Sequence, residues 1–201
     1  MSQFIEVAAA LVMAEPRLAA FLRAPVAPPS AWAAEEWAGV CEPWRDGAVR
    51  RRYRDELAGA VEACDNWADG DHAGLLRGLD DGDGGLTIGH DPAGGSLTVD
   101  FAARVDFELP SLIWAFSVLR GMAAFMADED AGLVTVTADW DETPVLMLLG
   151  PNRSSFLDRT RDAAAWRRAR DMEFDVRCAV SEADADTDGS ATRTVERLLG
   201  G

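Results

Sequence analysis

Asp184-Ala185-Asp186-Thr187-Asp188-Gly189-Ser190 sets carboxylates at alternate positions and then a glycine. A calcium loop places its first, third and fifth ligands and its sixth-position turn in the same way. Such a loop is closed by a carboxylate at its twelfth residue, which here is Val195, with Glu196 one residue late. The stretch therefore reads as an acidic cap: Asp188 or Ser190 accepts from the first amides of a final helix over about 190–199, and the other carboxylates favour its positive end. Weak adventitious Ca²⁺ binding is the residual expectation, and no resident metal or cofactor is predicted. Asp80, Asp81 and Asp83 with Gly84 offer a second partial loop, but Leu79 and His90 occupy its end positions.

Other reactive side chains are sparse. His72 and His90 are the two histidines, both in Gly/Asp-rich stretches where exposed turn positions are the expectation. A cysteine-type arrangement would need His90, oriented by Asp91, beside Cys41 or Cys64, because a nucleophile requires an adjacent oriented base. Cys41, Cys64 and Cys178 are widely spaced, with neither zinc spacing nor a disulfide framework, and read as reduced and buried. Asp139, Asp141 and Glu142 could form a carboxylate pair or hold Mg²⁺, against the simpler reading of a solvated turn. The chain has no G-x-S-x-G elbow, no G-x-x-x-x-G-K-[ST] loop, no G-x-G-x-x-G after a strand and no H-E-x-x-H helix. All 19 basic residues are Arg, so no lysine can supply a Schiff base or a phosphate-binding ammonium.

The formal charge of −16 disfavours nucleic acid and anionic membrane and favours a basic protein partner. Seven tryptophans are an aromatic inventory suited to packing or to anchoring a partner. Trp32, Trp37, Trp44 and Trp67, with Asp139, Trp140, Asp141 and Glu142, form the candidate binding surface. The leading expectation is an acidic protein-binding module, in the manner of an immunity or antitoxin-like inhibitor that occludes a basic partner. The alternatives are a hydrolase using carboxylates or a Cys-His pair in a cleft between the first segment and the sheet, and a structural or oligomerising protein using Arg50-Arg51-Arg52 between subunits. The N-terminus reads poorly as a signal peptide, because Glu6 interrupts its apolar run and no basic region precedes it. The run Leu109 to Ala127 contains Arg120 and reads as a buried helix, so a cytoplasmic location is expected.

The elements that must position these residues follow from periodicity. Phe4, Ile5, Ala8, Leu11 and Val12 recur at helical spacing, Pro16 can begin a second short helix, and Ser30 can cap a brief one. Val49, Tyr53, Leu57, Ala60, Val61, Cys64 and Trp67 mark the apolar face of a longer helix. Residues 69–85 read as an acidic, Gly-rich loop with one helical turn. Leu86–Ile88, the alternating stretch 97–109, 133–140, the continuously apolar Val145–Leu149, and 172–180 read as strands, with helices over 111–126, after Ser154 or Ser155, and at the C-terminus. The predicted class is α+β: one domain over 1–201, with a helical segment over 1–68, the loop over 69–85, and over 86–201 a mainly antiparallel sheet of about five strands packed against helices.

Overall fold

The computed structural model describes residues 3–80, 85–159, 161–183 and 191–200, apart from the side chain of Glu142. The DADTDGS stretch and Asp81, Asp83 and Gly84 lie outside the described residues.

The class is α+β. The strands are β1 (Gln3–Val12), β2 (Thr87–Asp91), β3 (Ser96–Val105), β4 (Ala131–Ala138), β5 (Asp141–Gly150) and β6 (Arg153–Phe156). They form one sheet in the order β2-β3-β1-β4-β5-β6, antiparallel at every pairing. The helices are α1 (Glu15–Arg23), α2 (Gly47–Asp65), α3 (His72–Asp80), α4 (Glu108–Arg120), α5 (Ala163–Glu182) and α6 (Ala191–Leu199), with 3-10 segments at Pro29–Ala31, Ala34–Cys41 and Gly121–Phe125. None of the described helices is long and apolar enough to cross a membrane.

Two segments differ from the sequence reading. The first predicted helix is instead β1, the strand between β3 and β4. Ile5, Val7, Ala9 and Leu11 face the main core, while Ala8 and Ala10 face the layer that α5 covers. Phe4 and Glu6 on that second face are exposed, but over residues 7–12 both faces carry apolar residues, so this half of the strand loses its alternation and reads as an apolar run. The predicted strand over 172–180 is instead part of α5, which buries Ala169, Glu173, Val176 and Val180 at helical spacing and leaves Phe174 69 % exposed. The alternation of Met172, Phe174 and Val176 was fortuitous.

Smaller differences follow. Ser154 and Ser155 lie in edge strand β6 instead of capping a helix. Within 69–85, His72–Asp80 is a full helix, α3, whose first turn is closed by Asp71 Oδ1 accepting from the Gly74 amide at 2.6 Å. Six strands replace the expected five or so.

The main core lies between the sheet and α4, whose Leu112, Ile113, Ala115, Phe116 and Leu119 are buried, with α2 packed on α4. A smaller cluster of Leu133, Leu146, Leu157 and Ala169 lies under α5 on the opposite face. There Arg177 pairs with Asp100 of β3 at 2.8 Å and ties the helix to the sheet.

Candidate functional site

Arg120 is the last residue of α4 and only 1 % exposed. Its guanidinium carbon lies 4.4 Å from the ring centroid of Trp37, 4.8 Å from Trp32 and 5.9 Å from Phe156. Nε donates to Ser154 Oγ at 2.7 Å and Nη2 to Glu36 Oε2 at 3.2 Å, whereas Nη1 is buried without a partner. Burial lowers the Arg120 pKa to about 10, countered in part by Glu36, and the group stays cationic at neutral pH. An orphaned guanidinium N–H in the interior is costly, and native structures rarely keep one without a function or a bound group.

His72 opens α3 and is 2 % exposed. Its Nδ1 lies 2.9 Å from the Ala24 carbonyl, which can only accept, so Nδ1 carries the proton and Nε2 presents a lone pair. Nε2 too is buried without a partner. Burial lowers the pKa of this ring, against the raising effect of the Ala24 and Phe21 backbone, and keeps it neutral. Gly121 makes room for it, since a Cβ there would stand 3.4 Å from Nε2.

Arg120 and His72 both line a pocket of about 400 Å³ at the junction of α4, the 3-10 segments and β6. Its walls are otherwise largely apolar, including Trp32, Ala27 and Phe125, with Glu36, Arg153 and Ser154 adding polar groups. The local fold holds these parts firmly. Val26 donates to Gly70 O and His72 to Ala24 O, which joins the segment before Pro29 to the start of α3. Asn152, at φ 54°, donates to Ala123 O at 2.7 Å and fixes the β5–β6 turn against Gly121–Phe125; Asn tolerates that left-handed conformation better than most residues. The Glu36 carboxylate is steadied by the Ala33 amide at 2.9 Å, yet its side chain is 50 % exposed at the mouth.

The sequence-derived surface residues are not brought together as one face. Trp37 and Trp44 are fully buried and cannot meet a partner in the folded state. Trp32 is half-buried at the pocket, and Trp67 is 41 % exposed at the end of α2. Trp140 is half-buried on the β4–β5 turn, stacked on Trp44 at 6.2 Å and donating through Nε1 to Tyr53 Oη at 3.1 Å. Asp139 beside it is exposed, and Glu142 carries no described side chain. Asp141 accepts from the Arg45 and Thr143 amides. Burial alone would raise the pKa of Asp141, but the hydrogen bonds from Thr143 outweigh it and hold the carboxyl below its ordinary value. It is a turn-closing carboxylate.

The Cys–His alternative is not assembled among the described residues. Contrary to expectation, both histidines are buried. His90 Nδ1 lies 3.4 Å from Arg197 Nη2, and the Cys64 thiol donates to Pro110 O, so neither engages the other. Burial raises the Cys41 thiol to about 11 and the Cys64 thiol to about 12, away from a reactive thiolate. Among the described residues no three His, Cys, Asp or Glu side chains converge as a metal ion would need.

Sequence reasoning missed Arg120, His72 and Glu36 as a group. The available signal was a single arginine within the apolar run 109–127, since a cation on the buried side of a helix needs a purpose. Comparison of the chain with protein-family models, with curated proteins and with solved structures finds no match.

Proposed function

We propose that this chain is a binding protein whose pocket receives a carboxylate-bearing small molecule at Arg120. One observation carries the reading: a guanidinium 1 % exposed, held by aromatic rings, with Nη1 unpartnered beside a pocket of about 400 Å³. That volume suits a small organic ligand, and the apolar walls would cover its body while Arg120 fixes its charged end. Arg153, exposed on β6 at the same pocket, adds a second cation.

The test is calorimetric titration with a panel of small carboxylates, with and without amino groups, against the native chain and Arg120→Met. Removing a charge-assisted hydrogen bond should weaken binding by about tenfold or more. Failure of every compound to bind, or binding that ignores Arg120→Met, overturns the reading.

A second reading is favoured by the charge balance. Arg17, Arg52, Arg54, Arg77, Arg161, Arg170 and Arg177 are committed to carboxylates, and the net charge of −16 leaves a surplus of acidic groups. Such a surface suits a basic protein, in the manner of an immunity or antitoxin-like inhibitor, with exposed Asp139 as one steering charge. One-to-one association with a basic protein at about 0.15 M salt, weakened by Asp139→Arg, supports it. Association abolished at that ionic strength, where the screening length is about 8 Å, would be non-specific attraction and counts against it.

A further inference from the structure

We infer that the ligand of the Arg120 pocket is a small zwitterion of the amino-acid class, its carboxylate on Arg120 and its ammonium between Glu36 and His72. This rests on the proposed function above and narrows it.

The two orphaned groups make opposite demands. Arg120 Nη1 is a donor and needs an acceptor, whereas His72 Nε2, its tautomer fixed by the Ala24 carbonyl, is an acceptor and needs a donor. A simple carboxylate satisfies the first and repels the lone pair of the second. Inorganic phosphate does no better, since its charge would also face the Glu36 carboxylate. A molecule with both a carboxylate and an N–H₃⁺ group meets both demands at once.

The charges are ordered in the same sense. Glu36 lines the pocket, half in solvent, with one oxygen accepting from Arg120 Nη2 at 3.2 Å and the other from the Ala33 amide at 2.9 Å, which leaves each oxygen capacity for a further donor. A carboxylate there attracts an ammonium and disfavours a second anion. The Trp32 ring, already 4.8 Å from one cation, offers a face to another. The whole-molecule charge of −16 resists the approach of an anion and leaves a neutral zwitterion unaffected.

The experiment uses two matched sets and isothermal calorimetry on the whole chain. L-Alanine is compared with propionate, lactate and ethylamine, and L-phenylalanine with 3-phenylpropanoate, 3-phenyllactate and 2-phenylethylamine. In at least one set the amino acid should bind about tenfold or more tighter than all three counterparts, as befits a charge-assisted contact. Glu36→Gln, which keeps the side-chain shape and an acceptor for the Ala33 amide while removing the carboxylate, should weaken amino-acid binding and leave the deamino acid equal or tighter, with its melting temperature measured alongside to separate binding from folding. If the deamino or hydroxy acid binds as well as the amino acid and still depends on Arg120, the zwitterion assignment is overturned while the carboxylate reading stands. If no compound binds, or none responds to Arg120→Met, both fall. Amino-acid binding unchanged in Glu36→Gln also overturns the placement of the ammonium.

Discussion

The guanidinium carbon of Arg120 lies 4.4 Å from the centroid of Trp37, so a cation occupies a position that the surrounding rings would equally give to an apolar side chain. Removing both charge and desolvation by Arg120→Met should leave stability unchanged or raise it by about 1 kcal/mol, because replacing a buried charge with an apolar side chain of similar volume is often neutral or favourable. In thermal denaturation that is a melting temperature equal to the native one or up to about 3 °C above it. Arg120→Ala, which leaves a cavity, should cost about 2–3 kcal/mol. A large loss in Arg120→Met would instead assign the arginine to holding Trp32 and Trp37 together and weaken the case for a ligand.

The buried histidines predict a pH dependence. Burial lowers the pKa of both His72 and His90, and Arg197 lowers that of His90 further. With an unfolded value of about 6.5, the unfolded chain takes up these protons first as pH falls, so the folded state is favoured above that pH and loses stability progressively below it. Glu108 is also held below its ordinary value: burial opposes ionisation, but hydrogen bonds from Tyr53 and Gln3 together with the Arg52 charge outweigh it. Its contribution fades only as pH falls below about 4, so the two effects separate. Urea midpoints should decline between about pH 6.5 and 5, and the decline should flatten in His72→Asn and His90→Asn, whose amides can donate to Ala24 O and accept from Arg197. An unaltered slope in the double variant would refute the assignment.

The parts of the fold legible in the sequence are those whose periodicity survives burial. Val49, Tyr53, Leu57 and Val61 keep one apolar stripe because the other side of α2 meets water, and β3 alternates because its far face is only partly covered. β1 was illegible for the opposite reason: Ala8 and Ala10 on its second face run on from Ala9 on the first, and alanine at mixed spacing reads as helix. α5 misled through Phe174, an apolar residue on its wet side. The pocket was less legible still. Glu36, His72 and Arg120 come from the Ala34–Cys41 segment, the start of α3 and the end of α4, and only tertiary packing brings together residues so far apart in the chain. The tryptophans were visible as a set, but composition cannot separate those that line a core, Trp37 and Trp44, from one that reaches solvent, Trp67.

Trp140 separates a packing role from a partner-binding one. Its stacking on Trp44 and its hydrogen bond to Tyr53 anchor the β4–β5 turn to the helical layer, and Tyr53 in turn donates to Glu108 at 2.8 Å. Trp140→Phe keeps most of the stacking and should cost about 1 kcal/mol for the lost donor. Trp140→Ala should cost about 2–3 kcal/mol as partial loss of a buried aromatic. Equal stability of the native chain and Trp140→Ala in urea would show that the ring contributes little to the fold and would leave it free for a partner.

Gly39 tests the geometry behind the pocket without touching any group that lines it. A Cβ at this position would stand 2.2 Å from Phe156 Cβ and 2.6 Å from its Cγ, a clash with the root of a side chain on β6 and not with a flexible end. Gly39→Ala must therefore push the Ala34–Cys41 segment away from the sheet edge, at about 1–3 kcal/mol for overpacking. That segment carries Trp37 and Glu36, and Phe156 lies against Trp37 at 6.1 Å, so the displacement opens the aromatic enclosure of Arg120. The variant should lose both stability, read from the urea midpoint, and carboxylate binding, read by calorimetry, whereas Gly59→Ala, with nothing within 4 Å of its added methyl, should lose neither. Gly59 lies on the exposed face of α2, where alanine is the better helix former by about 1 kcal/mol, so that control should be slightly stabilised. Stability lost in Gly39→Ala with binding fully retained would separate the packing of β6 from the pocket and show that Phe156 does not shape it.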